Sequence, residues 1–240
     1  MFMRGTVSIY LFKTSGLRAK MSPVKSKLLL PVIFIVVFAL SRIPGLMPAN
    51  FSVAYALAFC SGVFFRGWRG WVLPLATILV TDLALNLYYQ HQFPAEDVWS
   101  GANLANLAFN YAAYATLIFL GRGFQPKKSA LNLLQLLGGG LLGAILFYLI
   151  TNTAAWLFNP FHVPEYTRNL AGWIIALTKG SSGYPPTWEF FRNTLMSGGI
   201  FTLLFGAVGQ LSSESPADKT AGVPAESESA PEAEPEESKA

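Results

Sequence analysis

The chain has 240 residues, of which 52% are hydrophobic and only 12% charged, with a mean hydropathy of +0.42. A soluble globular domain carries about 25% charged residues, so a soluble domain, a disordered chain and a nucleic-acid binder are all poor fits. The formal charge of +4 and the pI near 9.2 do not signal an anionic partner, because the positive residues flank apolar runs, where membrane proteins carry their orientation signals.

Residues 1–24 form a basic N-terminal extension, and residues 1–20 of it also read as the product of an upstream start, with Met21 as the natural one. Six apolar segments follow: Leu28–Leu40, Val53–Phe65, Trp71–Tyr89, Leu104–Leu120, Leu131–Phe158 and Phe190–Val208. A helix needs about 20 residues to cross the hydrocarbon. The first two segments are short, so their flanks must help or they must lie inside the bundle. Pro31 is expected near the start of its helix, where proline is tolerated. The run Leu170–Thr178 is too short to span and reads as an interfacial or re-entrant helix. Residues 212–240 hold eight of the 13 acidic residues among Ser, Pro and Ala; such a tail cannot bury enough apolar area to order itself. The expected fold is therefore an all-α membrane protein, a six-helix transmembrane bundle over residues 25–211.

Lysine and arginine are distributed unevenly over the connections. Eleven fall before the first segment and in the second-to-third and fourth-to-fifth connections, against three (Arg42, Arg168 and Lys179) in the others. The positive-inside rule then places both termini in the cytoplasm of a protein of the inner (plasma) membrane. The lone Cys60 excludes a disulfide framework and any cysteine-based zinc site.

With that topology, the polar residues of the segments collect in the outer half. Asp82 and Asn86 lie four residues apart on one helix, as do Asn106 and Asn110 on the next and Tyr148 and Asn152 on the fifth. Arg42 ends the first helix, Asn50 and Ser52 lead into the second, and Glu189, Arg192 and Asn193 open the last. An ionised side chain facing lipid costs about 2.5–3.5 kcal/mol or more, so Asp82 must face protein or water, with Arg42 and Arg192 as candidate partners. Two readings compete: a clamp that only ties the helix ends together, and an outward-facing polar pocket for a small solute. A one-sided set drawn from all six helices favours the pocket. The candidate ligand-binding residues are Arg42, Asn50, Asp82, Asn86, Asn110, Asn152, Trp156, Arg192 and Asn193. Tyr88, Tyr89, Trp99, Trp156, Tyr184 and Trp188 form an aromatic rim, mostly as membrane-interface residues. Gly139/Gly143 and Ala54/Ala58 are small-residue pairs that let helices approach closely.

Gly180-Ser181-Ser182-Gly183 matches the G-x-S-G of intramembrane serine proteases. That chemistry needs a nearby histidine base, and His91 and His162 both lie in polar connections, so an intramembrane enzyme is the third reading. There is no P-loop, no HExxH and no CxxC; no cofactor or metal is expected, and the chain cannot itself drive transport with ATP.

Arg42-Ile43-Pro44 before Asn50-Phe51-Ser52 and an alanine-rich helix, Thr81-Asp82, Thr151-Asn152 with Trp156, and Phe190-Phe191-Arg192-Asn193-Thr194-Leu195 form a combined pattern. It resembles an uncharacterised group of bacterial integral membrane proteins regarded as transport-related, over residues 25–210. In helix count and topology that group is similar to the substrate-binding S components of energy-coupling factor transporters. The resemblance implies a six-helix bundle whose outward pocket captures a small polar or vitamin-like solute. Its partners would be the lipid bilayer, a coupling membrane subunit and ATPases, with no nucleic acid. S components often carry an Ala-x-x-x-Ala docking pair on helix one; here Ala54 and Ala58 stand on helix two.

Overall fold

The computed structural model describes residues 23–93, 97–125 and 129–212, with side chains described from residue 30 to residue 210 within those spans. The basic extension up to residue 22 and the acidic tail from residue 213 lie outside the described residues. Seven helices make up the described chain: α1 (Pro23–Ser41), α2 (Ala54–Phe64), α3 (Arg69–Gln92), α4 (Gly101–Arg122), α5 (Ala130–Phe158), α6 (Leu170–Thr178) and α7 (Thr187–Ser212). Of these, α3, α4 and α5 are long and apolar enough to cross a membrane by length and composition. They mark the chain as a multi-pass membrane protein.

Local chemistry sets the helix starts. Ser100, Ser129 and Asn169 precede α4, α5 and α6, and the side-chain oxygen of each accepts a backbone N–H three residues on, at 3.3, 3.1 and 2.9 Å. These are N-caps, which satisfy donors that the first turn leaves orphaned. α5 ends at Asn159, whose φ of 39° is the left-handed conformation that stops a helix. Its side chain also bonds the N–H and C=O of Val163 at 2.8 and 3.0 Å. α1 begins earlier than the apolar run implied, so Pro31 lies inside the helix rather than at its start.

α2 is the strut around which the rest is arranged. It has 11 residues, and Ala54 through Val63 are all buried. At 1.5 Å per residue it spans roughly 16 Å, about half the hydrocarbon thickness, so it lies inside the bundle as one of the two sequence alternatives allowed. α4 crosses it at a glycine pair: a Cβ on Gly62 would strike the Ile118 carbonyl, and one on Gly121 the Phe59 carbonyl. α7 runs antiparallel to α5, with Gly198 against Ala144 and Gly206 against Leu133 and Leu136. α1 joins through Phe34, stacked on Phe205 at 4.0 Å. Ala54, Ala58 and Gly139 are buried within this core, so the small-residue pairs serve packing inside the bundle. The outward faces of α1 and α3 expose Val32, Val36, Val72, Val80 and Leu87, apolar surface that suits lipid rather than water.

One end of the bundle gathers the α2–α3 turn, the end of α4 and the end of α7: Arg122 donates to the Gly67 carbonyl at 2.6 Å, and Gln210 to Asn132 Oδ1 at 3.1 Å. The opposite end carries the α1–α2 connection, the α3–α4 connection and α6. It is open.

Candidate functional site

The open end holds a chamber of about 490 Å³ between α1, α3, α4, α5 and the α1–α2 connection. The connection folds back over it through two left-handed residues, Gly45 (φ 80°) and Asn50 (φ 57°), conformations natural to glycine and tolerated by asparagine. Ser52 Oγ then accepts the Ala54 N–H at 3.1 Å and starts α2. From α7, Asn193 Nδ2 donates to the Ala49 carbonyl at 2.9 Å, and Phe201 meets Phe51 edge-on at 6.0 Å. The connection is thus fastened to a helix that does not line the chamber.

Arg42, on the turn that ends α1, forms an ion pair with Asp82 Oδ1 of α3. Tyr111 of α4 donates its hydroxyl to the other oxygen, Oδ2, at 3.1 Å. The two charged side chains are only 25% and 14% exposed, so each needs the other, since a charge left unpaired in such surroundings is costly. The Arg42 guanidinium also sits 5.8 Å from the Phe38 ring centre. Of the two partners expected for Asp82, the structure selects Arg42. Arg192 is exposed on α7 against the Trp188 ring, 5.9 Å from its centre.

The chamber is stratified. Going inward along α4 its lining runs Asn106, Asn110, Tyr114; along α5 it runs Ala155, Asn152 and Thr151, then Phe147. Each four-residue step is one helical turn, about 6 Å. Amides therefore line the mouth, and Tyr55, Tyr114 and Phe147 form a buried floor, with Phe147 4.6 and 5.0 Å from the two tyrosine rings. Among the described residues, the side-chain amides of Asn50, Asn106 and Asn110 have no hydrogen-bond partner in the protein, and Asn152 engages only its Nδ2, on the Tyr148 carbonyl at 2.9 Å. A second chamber of about 440 Å³ lies between α3 and α4, lined by Asn86, Phe93 and Asn103, and shares Tyr89, Asn106 and Asn110 with the first.

The structure brings Arg42, Asn50, Asp82, Asn110 and Asn152 together in one chamber. Asn86 lines only the neighbouring one. Asn193 acts from outside, on the connection. Trp156 donates its indole N–H to the Thr167 carbonyl at 2.7 Å and lies, like Arg192, outside both linings. Sequence reasoning missed Tyr111 and the aromatic floor. The floor had one usable signal: Asn106, Asn110 and Tyr114, spaced by four, share a helix face.

Ser182 lies in the turn between α6 and α7, where its Oγ and its N–H both donate to Glu165 Oε1. These bonds hold the Glu165 carboxyl below its ordinary pKa. The arrangement fastens the α5–α6 connection to the turn between α6 and α7. Among the described residues, no three His, Cys, Asp or Glu side chains gather as a metal site requires.

Taken together, the helices and the chamber define a multi-pass helical membrane protein with a polar cavity at one end of its bundle. A model of the family of unknown function DUF6580 matches residues 22–218, and the chain belongs to that family. No curated protein and no solved structure matches it.

Proposed function

We propose that this chain is the small-solute-binding component of a membrane uptake system, with the amide-lined chamber as its binding site. The observation that carries the reading is the set of unpartnered amides at the chamber mouth. An amide in a membrane helix that bonds nothing in the protein is costly unless water or a ligand meets it, and a chamber of about 490 Å³ lies within the usual size range of ligand sites. The chain would cross the membrane with six segments, α6 excluded and α2 enclosed by the others. Both termini would lie in the cytoplasm and the chamber would open outward, as the lysine and arginine bias supports. The likeness to S components adds a coupling subunit and ATPases as the energising partners.

A second reading, a structural protein whose polar cluster is a helix clamp, is favoured by one observation: Arg42, Asp82 and Tyr111 tie α1, α3 and α4 together. Mass spectrometry of small molecules released from gently purified protein separates the two. A stoichiometric compound, lost from the Asn106→Leu/Asn110→Leu protein, is the expected result; the clamp reading requires that none be retained. Orientation has its own check. A cysteine introduced as Ser182→Cys should react on intact cells with a membrane-impermeant maleimide, and one introduced as Arg66→Cys should not.

A further inference from the structure

The ionised groups of the chamber lining are Arg42 and Asp82, and they neutralise each other. Asp82 has both oxygens engaged, one by Arg42 and one by Tyr111. The pair carries no net charge, although Arg42 engages Asp82 through Nη2 alone and its Nε is buried without a hydrogen-bond partner, a donor left for a carbonyl or hydroxyl. The other groups left for a ligand are uncharged: asparagine amides and hydroxyls at the mouth, and aromatic rings below. A solute carrying net charge would have to pull this pair apart, stranding a carboxylate or a guanidinium in a poorly solvated site. Otherwise it would sit there without a counter-charge. The layering adds a shape. From Asn106 to Tyr114 is two helical turns, about 12 Å, with hydrogen-bonding groups in the outer half. In the inner half, Phe147 packs at a tilt against both tyrosine rings, a surface suited to an inserted ring.

We infer that the chamber takes an uncharged, flat solute, its ring system seated inward on Tyr55, Tyr114 and Phe147 and its amide, carbonyl or hydroxyl groups facing the asparagines. This deepens the proposed function and rests on it. Selection against charge then comes from the Arg42–Asp82 pair, which lines the chamber with no net charge. Breaking the pair from either side should therefore change which charge is accepted, rather than simply removing binding.

The test uses three probes that share one ring and differ in charge at neutral pH: indole-3-acetamide (neutral), indole-3-acetate (anionic) and tryptamine (cationic). Each is titrated against the full-length protein in nanodiscs, before and after substitution. Wild type should bind the amide at least tenfold more tightly than either charged probe. Asp82→Asn, which leaves Arg42 uncompensated, should reverse the preference towards indole-3-acetate, and Arg42→Gln should reverse it towards tryptamine. If one variant fails to fold, the other and the wild-type ranking still decide. A wild-type preference for a charged probe overturns the inference and leaves the binding reading standing. So does an unchanged ranking in a folded variant. Absence of binding of all three probes to wild type and to both variants also overturns the inference, and the retained-compound measurement then decides the binding reading separately.

Discussion

Asn132 and Asn110 show how differently the two ends of this bundle treat the same side chain. At the closed end, Asn132 is buried; its Nδ2 donates to the Gln125 carbonyl at 3.0 Å and its Oδ1 accepts from Gln210 at 3.1 Å. At the open end, Asn110 faces a chamber and bonds nothing in the protein. The surroundings match. Near Asn132 backbones touch through Gly62 and Gly121, and Gly140 is filled by the Thr202 side chain. Around Asn110 about 490 Å³ is empty of protein. Ser61 and Thr202 keep unpartnered hydroxyls in the closed half, but both are fully buried, with no space beside them for a ligand. Polar groups thus serve cohesion at one end and remain available at the other.

The contrast breaks most violently at the helix crossing. Gly121→Val would push a branched side chain into the Phe59 carbonyl, and since backbone cannot yield as a flexible side chain can, overpacking of about 3 kcal/mol or more is expected. The thermal midpoint of the detergent-solubilised protein should fall further than for any chamber substitution. Asp82→Asn comes next: Arg42 keeps 25% exposure, so stranding it costs less than the roughly 3–5 kcal/mol of a fully buried pair, about 1–3 kcal/mol, read in the same assay. Asn132→Leu should cost about 1–2 kcal/mol, because it removes the side-chain donor to the Gln125 carbonyl and one of the two acceptors of Gln210.

Ser182→Ala has a smaller, pH-dependent effect. The Glu165 carboxyl is held below its ordinary pKa, so its contribution is present above that ordinary value and is lost as pH falls through the depressed one. Thermal midpoints of wild type and Ser182→Ala should therefore differ slightly at pH 7 and converge in acid. A difference that grew on acidification would refute the assignment.

Much of this was legible in the sequence because apolar length and polar interruption are local properties. The run Leu170–Thr178 coincides with α6, and the shortness of Val53–Phe65 already allowed a segment enclosed by others. What was not legible depends on which helices become neighbours. Arg42 and Arg192 were equal candidates for Asp82, and only the placement of α1 beside α3 and α4 decides between them. Asn86 shares a helix face with Asp82 by spacing, yet the shared wall of Tyr89, Asn106 and Asn110 puts it in a second chamber. The aromatic floor was hidden for another reason. In a chain that is 14% aromatic, Tyr55, Tyr114 and Phe147 look like any residues of a membrane core. The spacing on α4 puts Tyr114 beneath Asn110, but the convergence of Tyr55 and Phe147 on it appears only once α2, α4 and α5 are set side by side.

The central claim is that the amides of the open end are held for a ligand and not for the fold. Its most direct test is the thermal midpoint of solute-free Asn110→Leu, measured beside wild type and Asn132→Leu. The account predicts that Asn110→Leu unfolds at or above the wild-type midpoint, because no protein hydrogen bond is lost and apolar surface is gained, while Asn132→Leu unfolds below it. A fall for Asn110→Leu as large as that for Asn132→Leu would contradict the account and make the open end a clamp.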